Sequence, residues 1–404
     1  MRSRLRKPPA AISRLAASLG SSYQPLLRSG EARRLALGGL VGRLRDGGIS
    51  LAIVLAVHGA TGSFALAGTA AASFAIGAAV SRPFQGRWVD RAGAGPVLAR
   101  TTAANSIALA ALAASVAARL DIAALLILAG LTGLTLPPLS ASLRALWPTI
   151  TPQHRDSAYA LDTLLYELSL IIAPALVGLA SSLASPAVAL LLLAAAGAAG
   201  TLLVAGTPAA ARRSDTTSSR PRGTIRTRAF ATLALVALFI GFAEGSLVVL
   251  VPGFSAAHHT PSSSGLLLST LALGSLIGAL AYGAKTWRAT IPRRLLASTT
   301  ALAISFIVLV TLAHSIVALA LILALTGIAL SPTLTTVFIA VQHTASQATL
   351  TEAFTWASLA ATTGAAAGQA LAGALIAGPG LTTAFWLPAA SSAAAVALSL
   401  FATD

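Results

Sequence analysis

Gly86–Arg100 reads GRWVDRAGAGPVLAR and lies between two apolar runs, 64–85 and 97–118, each long enough for a helix to cross a hydrocarbon layer. The stretch carries Arg87, Arg91 and Arg100, with Arg82 just ahead of it. So basic a connection between two spans belongs on the cytoplasmic face of a membrane. Its internal order is Gly86, then Asp90 and Arg91, then Gly93. Glycines let a backbone turn sharply and helix ends approach, while an aspartate beside arginines can bridge those ends.

Outward from this stretch the chain alternates apolar runs with short breaks. Its 404 residues are 56% hydrophobic and 9% charged, a balance that excludes an ordinary water-soluble domain. Spans are expected near 35–58, 64–85, 97–118, 122–143, 158–180 and 186–207, and again near 229–251, 263–284, 294–313, 316–340, 353–377 and 382–402. That is an all-α integral membrane protein of twelve transmembrane helices in two sets of six. The expected division is a basic arm at 1–34, a first six-helix bundle at 35–207, a linker at 208–228 rich in Ser, Thr, Pro and Arg, and a second bundle at 229–404.

Charge then sets the topology. A formal charge of +16 on a soluble chain would suggest a nucleic-acid partner. Here every one of the 27 Lys and Arg residues except Arg119 falls on or near the side of the N-terminus, as expected if that side and both termini are cytoplasmic. The bilayer accounts for the charge and no nucleic acid is called for. The arm at 1–34 is not a cleavable signal, because Arg14 interrupts its only weakly apolar stretch; it either lies on anionic lipid or simply sets orientation. The absence of cysteine excludes a disulfide framework and a thiolate metal site. Arginine used almost to the exclusion of lysine, with abundant alanine, points to a bacterial source and so to the inner membrane.

The order Gly86, Asp90, Arg91, Gly93 resembles the loop between the second and third spans of the major facilitator superfamily, Gly-x-x-x-Asp-Arg-x-Gly. Ala94 and Gly95 stand where that family usually has two basic residues. Tyr282–Arg288, after the second span of the second half, looks like a degraded copy of the same motif. The resemblance implies two pseudo-twofold-related bundles about a central cavity, alternating access, and a cytoplasmic latch built on the glycine-and-aspartate loop. In the family the latch aspartate lies near the eleventh span, so Asp90, Arg91 and Glu352 are candidates for one cytoplasmic cluster; simple stabilisation of a helix N-terminus is the other reading of Glu352.

Ionisable residues inside a bilayer each cost about 2.5–3.5 kcal/mol on insertion scales, so those present are functional or paired. GRLRDGG places Arg43, Arg45 and Asp46 roughly 12–18 Å into the first span at 1.5 Å per residue. Glu167 in the fifth span reaches a similar depth, and Arg43 and Glu167 are expected to pair or to share a polar network facing the cavity. The other reading leaves Arg43, Arg45 and Asp46 at the interface with side chains reaching to water. Glu244, in IGFAEGSL of the seventh span, has no basic residue nearby in sequence and suits a coupling proton or a cationic substrate group. His258, His259 and His314 fall in outward loops and are read as solvent-exposed rather than metal-binding.

Small residues at contact spacing, Gly274 with Gly278 and Gly364 with Gly368, allow close helix crossings. Pro137 and Pro138, Pro174 and Pro332 should bend or interrupt their spans. These observations lead to a secondary transporter, not an enzyme: a monomer, without cofactor, driven by a proton gradient. It is expected to export amphipathic small molecules. Uptake of a sugar or organic anion is the alternative within the class. The membrane subunit of a pump or a polytopic transferase is the alternative outside it, and no nucleotide motif or acidic polar loop supports either.

Overall fold

The computed structural model describes residues 29–151, 154–212, 228–285, 287–345 and 350–401, and it is helical almost throughout. The first set is α1 (Gly30–Thr61), α2 (Phe64–Ala92), α3 (Ala94–Ala117), α4 (Ile122–Leu134), α5 (Leu139–Ile150), α6 (Arg155–Leu183), α7 (Pro186–Ala205) and the four-residue α8 (Pro208–Ala211). The second is α9 (Arg228–Ala257), α10 (Ser263–Gly283), α11 (Ile291–Leu312), α12 (Ile316–Thr344), α13 (Leu350–Ala377), α14 (Leu381–Ala384) and α15 (Trp386–Phe401). Among the described residues eleven segments are long and apolar enough to cross a membrane, with α4 and α5 forming one segment and α14 and α15 another. The 32-residue α1 is not among the eleven, because Arg43, Arg45 and Asp46 interrupt its apolar run, yet it packs inside the first bundle and brings the spans to twelve.

Short polar caps set the helix starts. Ser29, Ser63, Asp121, Ser185 and Ser315 each accept a hydrogen bond from the backbone N–H three residues on, satisfying a donor that the helix itself leaves free. The expected loop at Gly86–Arg100 is almost wholly helix. Gly86 lies within α2, which runs on to Ala92, and α3 starts at Ala94. Only Gly93 breaks the pair, at φ +83°, because Trp, Arg and Asp all tolerate helical backbone whereas a positive φ favours glycine. The linker also differs from expectation at its start. Pro208–Ala211 form α8, docked on the first bundle by a hydrogen bond from the Ala209 N–H to Glu31 Oε1 (2.7 Å). Residues 213–227 and the arm at 1–28 lie outside the described residues.

The fourth span breaks where two prolines follow each other. Pro137 and Pro138 cannot donate to the carbonyls of Gly133 and Leu134. Leu134 O accepts instead from the Gln85 side chain of α2 (3.2 Å), and Gly133 O from the Leu136 N–H (3.1 Å). Asn105 of α3 donates to Thr132 O (2.8 Å), so the irregular turn is held from two neighbouring helices. Pro174 and Pro332 are accommodated inside continuous α6 and α12.

Helix pairing repeats between the halves. In the first, α1 packs on α6 and α7, α2 on α4, and α3 on α4 and α7; in the second, α9 packs on α13 and α15, α10 on α12, and α11 on α12 and α15. These are the same pairs under exchange of one six-span set for the other, which is the pseudo-twofold relation. Gly274 and Gly278 meet α12 backbone at Ala324 and Ile328, and Gly364 and Gly368 meet α9 at Leu238 and Phe242, so both glycine pairs make the expected close crossings.

Between the halves, the N-terminal part of α2 lies on the C-terminal part of α13, with Gly68 against Gln369 and Gly373 against Phe64. The C-terminal part of α6 lies on the N-terminal part of α10, with Gly178 against Gly265 and Ser269 Oγ donating to Ile171 O (2.6 Å). Both contacts sit at the end of the molecule remote from Gly93. Further along, Arg82 donates to Thr362 Oγ1 (3.2 Å), and beyond it Phe84 and Trp88 of α2 and Trp356 of α13 are exposed. The bundles therefore meet backbone to backbone at the remote end, and among the described residues Arg82 to Thr362 is the last hydrogen bond between α2 and α13 toward the arginine-rich end.

Candidate functional site: a charged cleft between two helical bundles

Arg43 is 1% exposed, deep inside the first bundle. Its guanidinium takes Asp162 of α6 bidentately, Nη1 to Oδ1 at 2.8 Å and Nη2 to Oδ2 at 3.0 Å, and Nη1 also reaches Asp162 O at 3.2 Å. Nε donates to Ser140 Oγ of α5 (3.1 Å), and the group lies 5.6 Å from the centre of the Tyr166 ring. Asp162 Oδ1 accepts further from Trp147 Nε1 (3.0 Å). Three helices are thereby tied through one fork, and a charge so buried is tolerable only with this degree of pairing.

The expected pair between Arg43 and Glu167 does not form. Asp162 and Glu167 of α6 differ both in depth, by about 7.5 Å, and in azimuth. Tyr166 is four residues from Asp162 and shares its face, whereas Glu167, five residues on, is turned about 140° away. Sequence reasoning also missed Trp147, Ser140 and Tyr166; the i, i+4 spacing of Asp162 and Tyr166 was the available signal.

Arg45 is equally buried and pairs with its own neighbour, Nε and Nη2 to Asp46 Oδ1 at 3.1 and 3.0 Å. Its side chain runs over Gly197 of α7, where any Cβ would collide with Arg45 Cδ and Cβ. The Asp46 side chain is 22% exposed. Arg43 and Arg45 therefore sit neither at an interface nor reaching to water; both are neutralised inside the bundle.

Two acids are left. Glu167 is half-buried on α6, and Glu244 has an accessible side chain on α9 although Ala243, Gly245, Ser246 and Leu247 around it are buried. Accessible yet surrounded by protein, Glu244 is at the floor of a cleft rather than on an outer surface. The two helices belong to different bundles, and the field of Glu167 reaches Glu244. Tyr166 lies in the fields of Glu244, Asp46, Glu167 and Arg144, so these five residues border one region. Arg144 of α5 is exposed and forms no ion pair among the described residues.

The residues expected to form the latch are apart. Asp90 and Arg91 are exposed at the end of α2, and nothing packs over Gly86. Gly93 packs on the Ala210 and Arg212 carbonyls at the end of α8. Glu352, in the first turn of α13, accepts from Trp356 Nε1 (3.3 Å) and pairs with neither Asp90 nor Arg91. No group of three or more acidic or histidine residues placed to hold a metal occurs among the described residues.

A helical membrane protein with two equivalent six-span bundles that meet closely at one end is the architecture of a transporter. The chain belongs to the Major Facilitator Superfamily, whose family model matches residues 35–284. Its fold is similar to that of a variant of the nucleoside transporter NupG, with a TM-score of 0.78 at 14% identity, covering 92% of this chain and 99% of the other. It is also similar to a bacterial homologue of the iron transporter ferroportin in an inward-facing state (TM-score 0.74, 15% identity, 94% and 99% covered). A bacterial homologue of the lysosomal transporter Spinster, inward-facing and unoccupied, is similar as well (0.67, 15%, 92% and 95%). No match was found among the curated proteins.

Proposed function

We propose that this transporter exports small amphipathic organic compounds in exchange for protons, with the arginine-rich end in the bacterial cytoplasm. The observation that carries the reading is the pair of carboxyl groups, Glu167 and Glu244, on different bundles that meet closely at the far end, neither forming an ion pair among the described residues. A carboxyl in such a place can take a proton from one side and surrender it on the other when the bundles rock. Arg43 and Arg45, which would have suited an anionic solute, are each already neutralised by an aspartate, and that weighs against uptake of an organic anion. The apolar lining supplied by an alanine- and leucine-rich chain suits an amphipathic solute.

Purified protein in liposomes, challenged with a pH jump and a panel of labelled amphipathic solutes, tests the reading. Proton-driven movement is expected in the wild type and loss of it in Glu244→Gln, with energy-independent solute exchange retained. Full pH-driven transport by that variant would remove the proposal.

A further inference from the structure

The connection between α10 and α11 carries Lys285, Arg288, Arg293 and Arg294, and no Asp or Glu occurs anywhere between Glu244 and Glu352. None of the four cations forms an ion pair among the described residues. The first-half connection keeps Asp90, whereas this one retains the cations and lacks the acid.

The cations do not simply trail into water. Arg294 donates through Nε to Tyr282 Oη (2.9 Å) and through Nη2 to the same oxygen, and its guanidinium lies 5.0 Å from the Tyr282 ring centre and 5.2 Å from that of Trp287. Tyr282 is fixed in turn by a hydrogen bond with Thr336 Oγ1 (2.8 Å), and Trp287 by donation to Tyr282 O (3.0 Å). Lys285 Nζ stands 4.6 Å from the Trp287 ring centre. Two aromatic rings thus hold a guanidinium and an ammonium side by side. The arrangement is costly on its own: like charges are gathered, and Arg293 and Arg294 occupy the first turn of α11, where the helix dipole disfavours cations. An anion bound here would relieve both effects.

We propose that Lys285, Trp287, Arg294 and the first turn of α11 form a binding site for the phosphate of an anionic membrane lipid. The cluster lies between the end of one span and the start of the next, the level at which Trp and Tyr meet lipid headgroups. Leu273, Ile277 and Leu280 are exposed along α10 leading up to it, an apolar track for the acyl chain. Arg294 and Trp287 are already oriented, which lowers the entropy lost on binding.

The test uses full-length protein in nanodiscs of mixed phosphatidylglycerol and phosphatidylcholine, with retained lipid counted by native mass spectrometry. Wild type is expected to retain phosphatidylglycerol preferentially. Lys285→Gln with Arg294→Gln should lower that preference by about thirtyfold, at about 1 kcal/mol per cation, and Arg87→Gln should leave it unchanged. If the double variant fails to fold, Lys285→Gln alone, whose side chain is exposed, is expected to give a smaller loss in the same direction. Equal retention of the two lipids by wild type, or an undiminished preference in folded variants, overturns the proposal. A second arm adds inorganic phosphate to phosphatidylcholine discs. Binding of phosphate there without any enrichment of phosphatidylglycerol assigns the site to a soluble anion and overturns the lipid reading.

Discussion

At the scale of single residues, the first bundle separates charges that hold the structure from charges left available. Arg43 and Asp162 are joined through both carboxylate oxygens, so removing one leaves its partner buried and uncompensated. Arg43→Gln is expected to destabilise the protein by about 3–5 kcal/mol, read as a lowered thermal midpoint in detergent, and Arg43→Gln with Asp162→Asn should recover part of the loss. An unchanged midpoint in the single variant would show that the fork is dispensable. Glu167 has no such duty. Glu167→Gln is expected to leave the thermal midpoint near wild type while flattening the pH dependence of transport. A steep midpoint loss with an intact pH profile would exchange the roles assigned to Asp162 and Glu167.

At the scale of elements, alternation depends on the contacts that seal the remote end, and glycine sets how closely they approach. Gly265 faces the Pro174 carbonyl so closely that no Cβ fits, and the opposing Gly178 offers no side chain that could yield. Gly265→Val should therefore hold α6 and α10 apart and shift the population toward opening at that end. The chain has no cysteine, so introduced pairs report without background. Ala72 of α2 and Ala366 of α13 belong to one small buried cluster that spans the two bundles. Ala72→Cys with Ala366→Cys is expected to cross-link readily in the wild-type background and poorly beside Gly265→Val. Equal cross-linking in both would mean that the α6–α10 contact does not govern the state of the cleft.

At the scale of the whole molecule, transport requires the two ends of the interface between the bundles to part and meet in turn. Asp90, Arg91 and Glu352 at the arginine-rich end form no ion pair with one another, and they should approach when that end closes. Spin labels on α2 and α13 near these positions are expected to show a shorter distance population when solute is added. A single unchanged distance would argue against a latch there. Orientation has its own measurement: Arg91→Cys should react with an impermeant thiol reagent only after cells are permeabilised, and Leu120→Cys from outside intact cells. The reverse result would invert the topology and the direction of export with it.

The sequence alone determined the membrane class, the two sets of six spans and the family, because span length, apolarity and the Gly86–Gly93 order are local properties that survive without knowledge of packing. It also drew attention to Arg43, Arg45, Asp46, Glu167 and Glu244, since charge is conspicuous in an apolar run. Which acid Arg43 takes, that Arg45 turns to Asp46 over Gly197, and that Glu167 and Glu244 are left over were decided only in three dimensions. Depth can be counted along a chain, but the direction a side chain faces depends on helix rotation and on the neighbours that the other spans supply.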